Sequence, residues 1–186
     1  MGAYAEELHR EANEGPSERP ARAPLMYLHR DREGAGSNLW RDYFCETPTF
    51  PPHKFKRHFR MRSQIFLRII QGISECSLDP LPAHFDFFKQ RPDTTGRQGF
   101  NIYQMCTSAL RQLAYGTTGD MFDEYLHMSE QTSLMCLYKF CLCVTDLYQQ
   151  KYLRNPTAHD IQRLYEHHEK HGFKGMLGSI DCMHWE

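Results

Sequence analysis

Long apolar runs and a cysteine framework are both missing from this chain of 186 residues. No apolar run approaches the roughly 20 residues that a membrane-spanning helix needs. The first residues, from Met1 to Gly15, are polar and rich in glutamate, unlike a secretory signal. The seven cysteines are an odd number without regular spacing. We therefore expect an intracellular protein that does not cross a membrane, with cysteines that are ordinary core or surface residues.

Acidic side chains are absent between Thr47 and Ser74, although the formal net charge of the chain is only −1. Residues 41–75 carry 7 basic and 3 acidic side chains, whereas residues 1–40 and 76–186 are both net negative. A local excess of positive charge is typical of a surface that binds a polyanion such as DNA, and the solvated face of an amphipathic helix is the alternative for part of it. The candidate DNA-binding residues here are Lys54, Lys56, Arg57, Arg60, Arg62 and Arg68.

Large apolar residues are scarce in residues 1–38, which are rich in Glu, Arg, Gly, Pro and Ser. Such a segment cannot bury enough surface to offset the entropy of ordering, so we expect a disordered leader. Order is expected from Asn38 onward, in a basic helical region of residues 39–98. Within it, apolar residues from His53 to Ile73 recur at helical spacing and predict a helix.

Residues 99–150 predict a helix-turn-helix-like unit of three helices. The first ends at Gly116, a short one follows over about residues 119–126, and Ser129 caps the third. A DNA-reading helix usually carries basic side chains, yet Lys139 is the only lysine or arginine between residues 129 and 148. Lys139 is retained as a candidate DNA contact, and a helical bundle that packs on another domain or a partner is the alternative. The predicted buried stripe of the third helix is Leu134, Leu137, Tyr138, Cys141, Val144, Thr145 and Tyr148.

A linking helix and a single strand complete the expected mainly α fold. Thr157 and Asp160 have the spacing of a capping box at the start of a helix within residues 151–174. Residues 175–186 contain a short apolar run bounded by glycine, which predicts the one convincing β-strand of the chain. The predicted buried side of the linking helix is Ile161, Leu164, Tyr165 and His168.

Asp181 lies between Ile180 and Cys182 in that strand, where an unpaired carboxylate is unfavourable. A divalent cation would satisfy it, and a structural aspartate at a strand end is the alternative. The residues around it closely resemble the segment that carries the first catalytic aspartate of plant Harbinger-type transposases. The resemblance covers about residues 40–186 and also rests on Tyr43-Phe44, Thr49-Phe50-Pro51-Pro52, Phe59-Arg60-Met61-Arg62, Phe66-Leu67-Arg68-Ile69, Arg111-Gln112-Leu113-Ala114-Tyr115-Gly116, Asp123-Glu124-Tyr125, Tyr152-Leu153-Arg154 and Pro156-Thr157.

The resemblance implies a transposase-derived nuclease, in which a helical region precedes an RNase H-like catalytic core. Such enzymes cut and join DNA with two aspartates and a third acid that hold Mg²⁺ or Mn²⁺. Asp181 corresponds to the first acid and is the expected catalytic and metal-binding residue. Glu186 is a poor substitute for a missing acid, because five positions along a strand place two side chains on opposite faces. We therefore expect the first strand of a truncated nuclease domain, without a functional metal site or catalysis by this chain alone.

Three functional hypotheses follow from the sequence. The first is an N-terminal transposase fragment in the nucleus, with residual DNA binding through residues 54–68 and 102–148. The second is a protein-interaction module without DNA affinity, which docks the Myb-like DNA-binding partner that the resemblance implies. The third is an active nuclease whose reading frame continues past Glu186 and whose gene model stops too early.

Overall fold

The computed structural model describes residues 30–76 and 78–179, and within these ranges the regular structure is helical. Helix α1 is Arg32–Tyr43, α2 is Pro52–Phe59, α3 is Ser63–Ser74, and α4 is the short Ala83–Asp86. Helix α5 is Ile102–Tyr115. A 3₁₀ turn, Gly119–Phe122, leads into α6, Asp123–Leu126. Helix α7 is Glu130–Tyr152 and α8 is Ala158–Lys170.

The expected mainly α fold is confirmed. The only β pairing in the described ranges is an isolated antiparallel bridge between Pro92 and Gln98. Within the same ranges, no helix combines the length and the apolarity that crossing a membrane requires.

Helix α1 begins at Arg32, seven positions before the expected boundary at residue 39, so the prediction of a leader as far as residue 38 is wrong at that end. Asp31 caps the helix by accepting a hydrogen bond from the Gly34 amide at 2.9 Å. The carbonyl of Arg32 accepts a hydrogen bond of 2.8 Å from Gln104 Nε2 at the start of α5. Composition alone does not reveal these contacts, which order a glycine-rich segment. Residues 1–29 lie outside the described ranges.

The single helix predicted from His53 to Ile73 is in fact two helices, α2 and α3. The chain turns at Arg60, whose φ of 54° is left-handed and ends α2. This turn allows phenylalanines of both helices to pack together: the Phe55 and Phe59 rings are 4.2 Å apart, and Phe59 and Phe66 are 5.2 Å apart. The aromatic packing explains why the apolar spacing continues across the break.

The three-helix pattern of residues 99–150 is present, although α7 continues to Tyr152. Gly116 closes α5 with a φ of 62°, a conformation that favours glycine. The side chain of Ser129 caps α7 by accepting from the Thr132 amide at 3.3 Å. Buried polar groups join α5 to α7: Gln112 Nε2 donates to the Ser133 carbonyl at 2.9 Å, and the hydroxyls of Ser108 and Ser133 are hydrogen-bonded.

The buried face of α7 differs from the predicted stripe. The buried residues are the smaller set Ser133, Cys136, Phe140 and Cys143. Leu134 and Tyr138 of the predicted stripe are 48% and 59% exposed, and Cys141 and Thr145 are also exposed. Three of these four residues are small, because α7 lies close to its neighbours: a Cβ atom added at Gly119 would be 3.1 Å from Ser133 Cβ. The predicted stripe is therefore shifted by about one residue toward the C-terminus of α7 relative to the buried face.

Helix α8 begins as predicted, with Thr157 and Asp160 forming a complete capping box. Its predicted inner face is not buried, since α8 has no buried residue and Leu164 is 38% exposed. The described beginning of the predicted strand, residues 176–179, has no regular structure, and residues 180–186 lie outside the described ranges. A truncated RNase H-like domain thus remains an expectation.

One hydrophobic cluster joins α1–α4 to α5–α7. Phenylalanines dominate its α1–α3 side, whereas Met105, Cys106, Met128 and Cys136 supply much of the α5–α7 side. Burial raises the pKa of Cys136 to about 12, so this thiol stays protonated and serves as a small apolar side chain. The six described cysteines are free, as the sequence predicts.

Candidate nucleic-acid interface

Helix α2 has an apolar face turned to the core and a basic face turned to solvent. Two prolines start it: Pro51 is the N-cap and Pro52 the first helical residue, whose missing amide costs nothing at that position. Phe55 and Phe59 are 2% and 1% exposed and anchor the helix. The residues between them therefore point outward and are mostly basic.

The six candidate cations form the α2–α3 basic segment. Lys56, Arg57, Arg60, Arg62 and Arg68 are exposed, and Lys54 is half-buried. None of the six forms an ion pair with a carboxylate in the described part of the chain. Their charges are therefore available to an external anion.

Four arginines elsewhere in the described ranges do form ion pairs with carboxylates. Arg30 binds Asp123 at 3.0 Å, and Arg32 binds Asp93 at 3.5 Å. Arg91 binds Asp86 at 2.7 Å, and Arg154 binds Asp160 at 2.7 Å. Because exposed ion pairs of this kind neutralise charge locally, the field of the α2–α3 basic segment stands out against the rest of the surface.

The structure adds Arg111 of α5 to this face, a residue that was not predicted. Its guanidinium carbon lies 5.0 Å from the ring centre of Phe122 and 5.7 Å from that of Tyr125. Four residues along α5, the ring of Tyr115 lies 5.8 Å from the guanidinium carbon of Arg60. The only sequence signal for it is an arginine directly after the apolar residues Ala109 and Leu110.

His58 sits among these cations. Its Nδ1 is 2.6 Å from the hydroxyl of Tyr43. Burial lowers the pKa of His58, and the positive charges of Arg111, Arg57 and Lys54 lower it further. Lys54, Arg57 and Arg111 are thus close enough to share one electrostatic environment. The structure gives no comparable link for Lys56, Arg62 or Arg68, which lie exposed along α2 and α3.

Lys139 is separate from this surface. It lies on α7 with its Nζ 5.5 Å from the ring centre of Tyr138. Around it the outer face of α7 is apolar, with Leu134 48%, Met135 41% and Tyr138 59% exposed. The predicted DNA contact of Lys139 therefore has no basic neighbours on its helix.

A cavity of about 750 Å³ lies between α1, α4 and α5. Trp40 and Tyr103 form an aromatic edge there, with ring centres 5.2 Å apart. Two of its amide side chains are engaged: Gln104 Nε2 donates to the Arg32 carbonyl and Gln90 Nε2 to the Gly99 carbonyl, each at 2.8 Å.

Asp181, the expected catalytic and metal-binding residue, lies outside the described ranges. Among the described residues, no group of three or more His, Cys, Asp or Glu side chains is arranged to hold a metal ion. The fit of Mg²⁺ or Mn²⁺ to this chain thus stays a prediction of the sequence resemblance.

Comparison with known proteins matches two parts of the chain. Residues 36–74, which run from within α1 to the end of α3, match a family described as a domain of unknown function (DUF8418). Residues 150–186, which include α8 and Asp181, match the family described as plant transposon protein. No curated protein and no solved structure matches the chain. The second match supports a transposase-related family for this protein.

Proposed function

We propose that this chain is the DNA-binding part of a Harbinger-type transposase and holds DNA through the phosphate backbone. The observation that carries the proposal is the α2–α3 basic segment, in which six cations have no carboxylate partner among the described residues. The match of residues 150–186 to the plant transposon protein family supports DNA as the polyanion. A protein that acts on nuclear DNA is expected in the nucleus.

Phosphate contacts account for the expected binding mode. Lysine and arginine side chains that neutralise backbone phosphates release condensed counterions, which makes affinity strongly dependent on salt. The exposed side chains of Lys56, Arg57 and Arg60 are long and flexible, and they suit phosphate oxygens better than base edges. We thus expect binding with little dependence on base sequence.

Catalysis is a separate part of the proposal. Within it, Asp181 is the first metal-binding acid of the nuclease that the resemblance implies. Metal ions held by several acids would polarise the phosphodiester and generate the attacking hydroxide. The activity that we propose for the α2–α3 basic segment is DNA binding.

Fluorescence anisotropy with a labelled 25-base-pair duplex of mixed sequence tests this function. We expect a dissociation constant in the micromolar range or below at 50 mM salt, and a logarithmic salt slope of about −0.9 for each phosphate contact. A duplex of unrelated sequence should bind with similar affinity. Absence of binding at 50 mM salt would rule out the proposal.

A second candidate function rests on the outer face of α7. Leu134, Met135 and Tyr138 are exposed apolar side chains on consecutive turns, and such a face is typical of a protein contact. The occupant that we propose is a Myb-like DNA-binding partner, which would bury this face with an apolar helix of its own. Binding of the purified partner domain should fail for a Leu134→Ser, Tyr138→Ser double variant and persist for a Lys56→Gln control. Equal binding by both variants would exclude this face.

A further inference from the structure

Arg111 differs in its setting from most residues of the α2–α3 basic segment. Those six side chains are mainly exposed, whereas Arg111 is half-buried on α5. Its Nε is buried and has no hydrogen-bond acceptor in the described part of the chain. The rings of Phe122 and Tyr125 hold the guanidinium in place, at 5.0 and 5.7 Å.

This arrangement leaves hydrogen-bonding capacity unused. A guanidinium has five N–H donors, and partial burial of the charge is unfavourable unless an anion or acceptors compensate. Contacts with aromatic faces supply only part of that compensation. No carboxylate pairs with Arg111 among the described residues.

The acid that is hydrogen-bonded to Tyr125 is already engaged. Asp42 Oδ2 accepts a hydrogen bond of 2.8 Å from the hydroxyl of Tyr125, and Asp42 Oδ1 is 3.9 Å from Arg41 Nε. Tyr125 thereby turns its ring to Arg111 and its hydroxyl to Asp42. The result is a fixed arginine that shares the surroundings of His58 with Arg57 and Lys54 of α2.

We propose that Arg111, together with Arg57 and His58, forms a fixed seat for one phosphodiester group of bound DNA. The proposal rests on the DNA-binding function given above and identifies the position where the backbone is held most rigidly. A guanidinium that packing has already oriented loses less side-chain entropy on binding than a free lysine or arginine does. Hydrogen bonds from its Nη groups to phosphate oxygens would compensate the charge of the guanidinium.

Heteronuclear NMR of the arginine Nε–H groups tests the seat without altering the protein. We expect micromolar duplex DNA to shift the Arg111 Nε–H signal and slow its exchange with water. Arg30 provides an internal control, because its Nε is also buried but its Nη2 already binds Asp123 at 3.0 Å. The Arg30 signal should stay in place, and inorganic phosphate should reproduce the Arg111 shift only at millimolar concentration.

The DNA affinities of variants measure how much Arg111 contributes to binding. Arg111→Gln should weaken duplex binding about tenfold, as expected for one charged hydrogen-bonded contact, and should reduce the salt slope by about 0.9. Arg111→Lys keeps the charge but not the planar fork, so it should restore the slope and only part of the affinity. Arg163→Gln on α8 is the matched control and should bind as the wild type does.

The outcomes distinguish this inference from the proposed DNA-binding function on which it rests. Wild-type binding with an unmoved Arg111 signal and unchanged affinity of Arg111→Gln would overturn the seat and leave the α2–α3 basic segment as the interface. A shift of Arg111 by micromolar inorganic phosphate would overturn DNA as its ligand. Failure of the wild type to bind the duplex would overturn both proposals.

Discussion

Helices α2 and α7 both bury one face in the same hydrophobic cluster, yet the faces that they expose to solvent differ in chemistry. The outer face of α2 carries Lys56, Arg57 and neighbouring cations without acidic partners. The outer face of α7 carries Leu134, Met135 and Tyr138. The difference is the basis for proposing two kinds of ligand, a polyanion at α2 and an apolar protein surface at α7. The proposed DNA contact thus lies apart from the helix that a helix-turn-helix outline would assign to it.

Removing four charges of the α2–α3 basic segment should have the largest effect. A variant with glutamine at positions 54, 56, 57 and 60 loses four candidate phosphate contacts, so its affinity for duplex DNA should fall at least about 100-fold at low salt. The matched control replaces Lys151, Arg163, Lys170 and Lys174 with glutamine and changes net charge equally. Titrations that find equal losses for both variants would show that net charge, not the α2 surface, governs binding.

Acidic pH should strengthen DNA binding through His58. The pKa of this imidazole is lowered in the free protein, first by burial and then by Arg111, Arg57 and Lys54. A bound phosphate favours the protonated form and raises that pKa, so DNA binding takes up a proton and affinity rises as pH falls.

We expect a gain of about threefold to tenfold between pH 7.5 and pH 5.5, the worth of about one added contact. His58→Gln should remove most of this gain, whereas the exposed His53→Gln serves as the control and should keep it. Tyr43, which shares a 2.6 Å hydrogen bond with His58, stays neutral because burial raises its pKa. A pH profile that is unchanged in His58→Gln would contradict this assignment.

Introducing acidic residues on the outer face of α7 should have little effect on DNA binding. A double variant, Leu134→Glu with Tyr138→Glu, changes two side chains that are about half exposed, so we expect stability within about 1 kcal/mol of the wild type. Its affinity for duplex DNA should change less than about threefold, because only longer-range, screened repulsion would act. A tenfold or greater loss would place α7 on the DNA.

Lys139→Gln should have the smallest effect of all. Its ammonium lies over the ring of Tyr138 and has no basic neighbour on α7 between residues 130 and 150. We expect a change in affinity below about twofold, as for a charge beyond screening distance of the phosphates. Anisotropy at 50 mM salt, with Arg57→Gln measured alongside, gives the comparison.

Helix ends were the most predictable part of the fold, because they depend on local chemistry. The serine before α7, the threonine before α8 and Gly116 after α5 all occupy the predicted caps. The choice of buried face was less predictable, because it depends on how closely two helices approach. On α7 the small Ser133 and Cys136 are buried and the larger Leu134 is not, whereas hydrophobicity alone would favour burial of Leu134.

Of the candidate site, the sequence revealed the charges but not their arrangement. Lys54, Lys56 and Arg57 are conspicuous as a run without acids, and their lack of ion pairs follows from that run. Arg111 is 43 positions or more away from the α2–α3 basic segment along the chain. It joins Arg57 only because α5 packs beside α2, a tertiary contact that no local pattern encodes.

Mapping of backbone amide shifts in two-dimensional NMR, during titration with duplex DNA, tests the central claim most directly. The account predicts that the largest shifts fall between Lys54 and Arg62 and around Arg111, with small shifts from Glu130 to Cys141. Shifts concentrated on α7, with α2 unaffected, would contradict it.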